Sequence, residues 1–230
     1  MTVNSANGGG TVSAAGLYEP IAVYANSNTI AVAEFSNNRV AVWTSPITSN
    51  GQAANLILGQ PTATGNSPNS GGISGSSLNN PTGVTGDGTR LAIADRQNNR
   101  ISLYPTVPTM TGAPATMIVG QPDLVSYRLD NGGPISASSL TSPTGMTMLG
   151  GMFGVTDGGA RVLLWDAPPT SRRDLPKIVL GQPNFSSFGQ FGGTATASSL
   201  CGPTGIHSDG AQGGNVRAAT DLLGRRARRL

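Results

Sequence analysis

Four acidic side chains each stand four or five residues before an arginine: Glu34 and Arg39, Asp95 and Arg100, Asp157 and Arg161, Asp221 and Arg226. A ring of such carboxylates could hold a metal ion or a sugar. An acid and an arginine on either side of a hairpin turn can instead form an ion pair in which the acid also accepts turn amides. The pair comes once in every copy of a repeat, so it serves the copy, whereas catalysis needs groups that differ between copies. Such a difference lies in one column, Tyr24, Thr85, Thr147 and His207. These four are the candidate ligand-binding residues, placed by the order of strands at the mouth of a central channel. His207 is the only histidine. With no second histidine or carboxylate cluster beside it, it reads as a hydrogen-bonded surface group rather than a base or ligand, and Asp209-Gly210 as a turn. No catalytic residue, metal ligand or cofactor is assigned.

The elements that must position these residues repeat. Leu58-Gly59-Gln60-Pro61 returns as Val119-Gly120-Gln121-Pro122 and Leu180-Gly181-Gln182-Pro183, so the glycines stand 61 and 61 residues apart. Pro20, Pro81, Pro143 and Pro203 keep step at intervals of 61, 62 and 60. A fixed period of this kind marks an array of one supersecondary unit. The chain is a single domain, 1–230, with units 17–61, 78–122, 140–183 and a partial 200–230. Period-two alternation, as in Ile30, Val32, Val40 and Val42, predicts short half-buried strands. Each unit offers about four of them, the last ending where proline stops ladder pairing. Linkers of about sixteen residues end in Ser-Ser-Leu at 76–78, 138–140 and 198–200. Their shared pattern predicts ordered crossings rather than loose loops. Trp43, Tyr104 and Trp165 recur at the same interval and read as packing. In the fourth unit, Asp221 on the Asp95 position brings Arg229 onto the Leu103 position, where burial without a partner costs several kcal/mol; a closed ring of four would need Met1-Thr2-Val3 as its missing strand.

Composition narrows the function classes. Charged residues make 11% of the chain, against roughly 25% in ordinary soluble domains. The net charge of +3 comes from the arginines at 225, 226, 228 and 229 against Asp221; residues 1–220 carry ten basic and ten acidic groups. That argues against a nucleic-acid partner, which calls for a basic stripe over one face. One cysteine, Cys201, allows no intrachain disulfide. No apolar run approaches the roughly 18 residues of a membrane span, and the first ten residues lack the regions of a signal peptide. Asn184-Phe185-Ser186 fits a glycosylation sequon, and Asp130-Asn131-Gly132-Gly133 matches only part of a calcium loop. Neither a Gly-x-Ser-x-Gly, a P-loop nor a His-Glu-x-x-His motif occurs.

Pro81-Thr82-Gly83-Val84, Ala92-Ile93-Ala94-Asp95, Asn98-Asn99-Arg100 and the following Ile-x-Leu-Tyr resemble the NHL repeat. The resemblance implies an all-β fold, a β-propeller of NHL-like four-stranded blades with about four units in this chain. NHL propellers usually close with six blades, so either four blades close a small ring or the chain is an excerpt of a longer one. The long form with a Gly-Gln-Pro exit looks like bacterial propellers that are often secreted or on the cell surface. That address stands beside a cytoplasmic one, which follows if Met1 is the natural start. The family implies a non-catalytic platform that binds a protein or polymer through its loop faces. The alternative is a propeller hydrolase or lyase with a metal or ligand in the channel, and self-association through the incomplete fourth unit is a further option.

Overall fold

The computed structural model describes residues 6–44, 46–189, 195–208 and 216–220, the last five by backbone alone. The suggested closing strand at 1–3, Asp209-Gly210, the Asp221–Arg226 pair and Arg229 lie outside the described residues. The fold is all-β. Three four-stranded antiparallel sheets follow one another: β1 (Pro20–Ala25), β2 (Ile30–Glu34), β3 (Arg39–Trp43) and β4 (Leu56–Leu58); β5 (Pro81–Gly86), β6 (Leu91–Asp95), β7 (Arg100–Tyr104) and β8 (Met117–Val119); β9 (Met146–Leu149), β10 (Met152–Asp157), β11 (Arg161–Trp165) and β12 (Ile178–Leu180). A two-stranded piece, β13 (Pro203–Ser208) with β14 (Val216–Thr220), comes last. Strands within each sheet lie in sequence order, so every connection is a hairpin, which a period of four short alternating strands dictates.

The hairpin register places the ion pairs. Glu34 lies directly opposite Arg39, Asp95 opposite Arg100 and Asp157 opposite Arg161. All six side chains are fully buried, with Nε to carboxylate distances of 2.7, 2.8 and 2.7 Å. Burial pushes the Asp95 and Asp157 carboxyls up, while the facing guanidinium and amide donors pull them back. Each arginine spends its other donors on backbone carbonyls of the two linkers that flank its unit. Arg100 donates to Ser74 and Ser77 ahead of the unit and to Leu124 after it. Arg39 reaches Ser13, Gly16 and Ala63, and Arg161 reaches Ser136, Ser139 and Phe185. The linkers are ordered because a buried cation satisfies their carbonyls.

The motifs at both ends of the unit answer close approaches. A Cβ on Gly59, Gly120 or Gly181 would lie within 2.5 to 2.7 Å of the side chains of Leu78, Leu140 and Leu200, the leucines that end the following linkers. The adjacent glutamine is buried and clamps two carbonyls, Gln60 those of Asn38 and Ser67, Gln121 those of Asn99 and Arg128. At the other end, β1, β5, β9 and β13 pack one against the next. Thr82 donates its hydroxyl to the Pro143 carbonyl at 2.9 Å, and Thr144 to that of Pro203 at 3.1 Å. Gly83 must lack a side chain because a Cβ there would meet the Thr144 carbonyl at 2.4 Å.

Apolar layers fill the gaps between sheets: Val40, Val42 and Leu58 against Val84, Leu91 and Ile93, then Ile101 and Leu103 against Met146, Met148, Phe153 and Val155. On the outer face of the first sheet Ala41, Trp43 and Ile57 are buried with Ala54 and packed by Leu17, but the first strand is not buried. Val23 is 66% exposed where its counterpart Val84 is 6% exposed.

Two consequences can be measured by urea unfolding. Arg100→Ala strands a buried carboxylate and three carbonyls, so a loss of about 3–5 kcal/mol is expected; a loss under 1 kcal/mol would contradict the clamp. Asn38 and Asn99 adopt left-handed φ of 52° and 51°, and each accepts the amide two residues after the following leucine, Asn80 and Ser142. The third unit has Ala160 there at φ 58°. Ala160→Asn should therefore gain about 1 kcal/mol, since a left-handed conformation costs alanine that much.

Candidate functional site

Tyr24, Thr85, Thr147 and His207 fall on β1, β5, β9 and β13, the first strand of each sheet. Strand side chains stand perpendicular to their sheet, so those of the first strands enter the gaps between sheets. The Tyr24 ring lies against Gly86, where a Cβ would meet it at 2.9 Å, and its hydroxyl accepts a hydrogen bond from Asn26 at 2.8 Å. Thr85 and Thr147 are buried, the latter against Gly154 of its own sheet. His207 is exposed, opposite Arg217 in the β13–β14 register. Among the described residues no hydrogen bond joins any two of the four side chains. They share a place in the unit, the first strand of each sheet.

The partial calcium pattern is consumed locally. Asp130 Oδ1 accepts from the Ser139 and Thr141 hydroxyls at 3.1 and 2.9 Å and staples its linker. Asn184 Oδ1 accepts from the Ser186 amide and the Ser187 hydroxyl. Among the described residues no three His, Cys, Asp or Glu side chains stand close enough to hold a metal ion, and no helix is long and apolar enough to cross a membrane.

The aromatic column closes the outer part of each sheet. Trp43 donates its indole N–H to the Gln52 carbonyl at 3.0 Å and Trp165 to that of Asp174 at 2.8 Å. Phe153 stacks on Trp165 at a tilt, ring centroids 5.4 Å apart. Tyr104 is the exception: its hydroxyl is buried and has no hydrogen-bond partner among the described residues.

A different set of side chains faces solvent. Within one linker Val125, Tyr127 and Leu129 are 62, 52 and 56% exposed, and Phe188, 61 residues after Tyr127, is 73% exposed. Their backbone is held. The Asn99 amide donates to the Tyr127 carbonyl at 2.8 Å, Gln121 to that of Arg128, and Gln182 to that of Gly189. Asp123 Oδ1 accepts from the Val125 and Ser126 amides, and the Ser126 hydroxyl together with these amides holds its carboxyl below the usual range. The arrangement is apolar and aromatic side chains displayed in water by an ordered support, which suits contact with another surface. In the sequence the signal for this set is an aromatic residue at 127 and again 61 residues later at 188, inside linkers rather than strands. No family model matches the chain, and no curated protein matches it.

Tyr104 yields a test. Burial, and then the nearby Asp95 charge, raise its phenol above the ordinary value of 10.0. The unfolded chain releases that proton near pH 10 while the folded chain keeps it, so stability present below that pH is lost as pH rises. Between about pH 9 and about pH 11 the urea midpoint of the wild type should fall more steeply than that of Tyr104→Phe. At neutral pH the variant should be equally stable or more so, because it removes an unpaired buried hydroxyl. Parallel pH profiles would contradict the assignment.

Proposed function

We propose that this chain is a non-catalytic binding module, an NHL-type β-propeller that holds a protein or polymer partner against its linker face. The observation that carries the proposal is the exposed set Val125, Tyr127, Leu129 and Phe188 on a backbone pinned by Asn99, Gln121 and Gln182. Rigid aromatic side chains lose little entropy on contact, and a few of them carry most of the energy of a binding surface. The ionisable groups that recur in every complete unit are committed to the scaffold, each acid bound by its own arginine. Sequential packing of the first strands supports a propeller, either a ring of four or part of a ring of six.

Panning the immobilised protein against a random peptide library and an array of polysaccharides tests this. Selected ligands should lose about 2 kcal/mol of affinity, roughly thirtyfold, on the double variant Tyr127→Ala/Phe188→Ala, with its circular dichroism unchanged. Ligands that bind both proteins equally would refute the linker face as the binding surface. A ligand that is hydrolysed or cleaved on the array would refute the non-catalytic reading.

A further inference from the structure

The loop between the third and fourth strands of a unit seals the outer seam against the unit before it. In unit 2 that loop lays Thr111-Gly112 along β4. The Ile57 N–H donates to Thr111 Oγ1 at 3.1 Å, and the Gly112 N–H donates to the Ile57 carbonyl at 2.9 Å. Further along, the Ala115 N–H donates to the Gly75 carbonyl at 2.8 Å, as the Ala54 N–H does to that of Ala14 in unit 1 at 2.9 Å. The edge strand and the linker are thereby sealed by backbone pairing.

Unit 3 breaks this pattern at the same positions. Arg172-Arg173 replaces Thr111-Gly112, and Pro176, which has no N–H, replaces Ala115. Among the described residues none of the three bonds forms. Ile118 sits opposite Ser102 in the register in which Ile57 sits opposite Ala41, so its N–H and C=O point out of the sheet edge as those of Ile57 do. Where the loop would lie there is instead a cavity of about 180 Å³ lined by Ile118, Gln121, Ala137, Ser138, Trp165 and Arg172. Its rim is held open by Arg172, which donates to the Pro122 carbonyl. Asp174 supports the same loop by accepting from the Thr170 and Ser171 amides at 2.8 and 3.0 Å.

We propose that this cavity is a binding site for a short turn of Thr-Gly or Ser-Gly type presented by a partner protein. The chain itself shows the complementary shape, since its own Thr111-Gly112 fills the equivalent place one unit earlier. A partner hydroxyl accepts from the Ile118 N–H, the following glycine N–H donates to the Ile118 carbonyl, and a later amide donates to that of Ala137. Glycine is favoured because Gly112 has φ +73°, a left-handed conformation that costs other residues. The volume is below the roughly 300–1,000 Å³ of small-molecule pockets and suits two or three residues. Unpaired backbone on an edge strand is the usual template for adding an extended segment. The exposed side chains Val125, Tyr127, Leu129 and Phe188 do not line this cavity, although Gln121 borders it and also supports their linker.

The test uses the synthetic peptide of sequence 107–115, capped at both ends, titrated into the isotope-labelled protein by NMR. The amides of Ile118, Val119 and Ser138 should shift saturably at millimolar or lower concentration, and a peptide with proline for its glycine should leave them unmoved. The variant Arg172→Thr/Arg173→Gly/Pro176→Ala carries unit 2's residues and should fill its own cavity. It should melt higher than the wild type and give no peptide response. Tyr127→Ala/Phe188→Ala should respond as the wild type does, which separates this site from the linker face. Unmoved Ile118 and Val119 amides in the wild type, or equal shifts in the triple variant, would overturn the proposal; water alone occupying the cavity would give the first of these results.

Discussion

Every complete unit depends on one buried guanidinium. Arg39, Arg100 and Arg161 each face a carboxylate across a hairpin, and each gathers carbonyls from the linker before and the linker after. Desolvating such an ion costs several kcal/mol, and the cost is met only when nearly every donor finds an acceptor. That condition explains the composition. Linkers of Gly, Ser, Thr and Asn have too little apolar surface to order themselves, and here they need little, because their carbonyls are coordinated from within.

Much of this was legible in the sequence. The acid and arginine, spaced for a hairpin and present in each copy, read as scaffold, and the structure buries three such pairs. The strand pattern and the ordering of the linkers likewise followed from period and repetition. Gln60 and Gln121 were not legible as clamps, because of the two carbonyls each binds one lies 22 residues earlier and the other seven later, and no local pattern marks them. The Tyr24, Thr85, Thr147 and His207 column was placed on the right strands, but strand order does not say which way a side chain leans. The structure sets Tyr24 against Gly86, buries Thr85 and Thr147 and leaves His207 exposed, surroundings that strand order alone does not give.

The repeat is most informative where one copy departs from it. Tyr104 stands between two tryptophans that find acceptors, and its hydroxyl finds none among the described residues. Pro176 stands where two alanines donate an amide, and a cavity opens beside it. Neither residue is unusual by itself. Each acquires meaning from the counterparts 61 residues away, which act as internal controls for what the fold normally requires.

The contact made by Thr82 and Thr144 gives the array a direction. Thr82 on β5 offers its hydroxyl forward to the Pro143 carbonyl just before β9, and Thr144, next to it, offers one forward to the Pro203 carbonyl of β13, so the two surfaces that meet at each of these seams are different surfaces. Assemblies with heterologous contacts of this type close into rings when the rotation between neighbours divides a full turn, and otherwise wind on. No residue in a unit counts its copies; in such an assembly the rotation between neighbouring units, set where their first strands meet, does the counting.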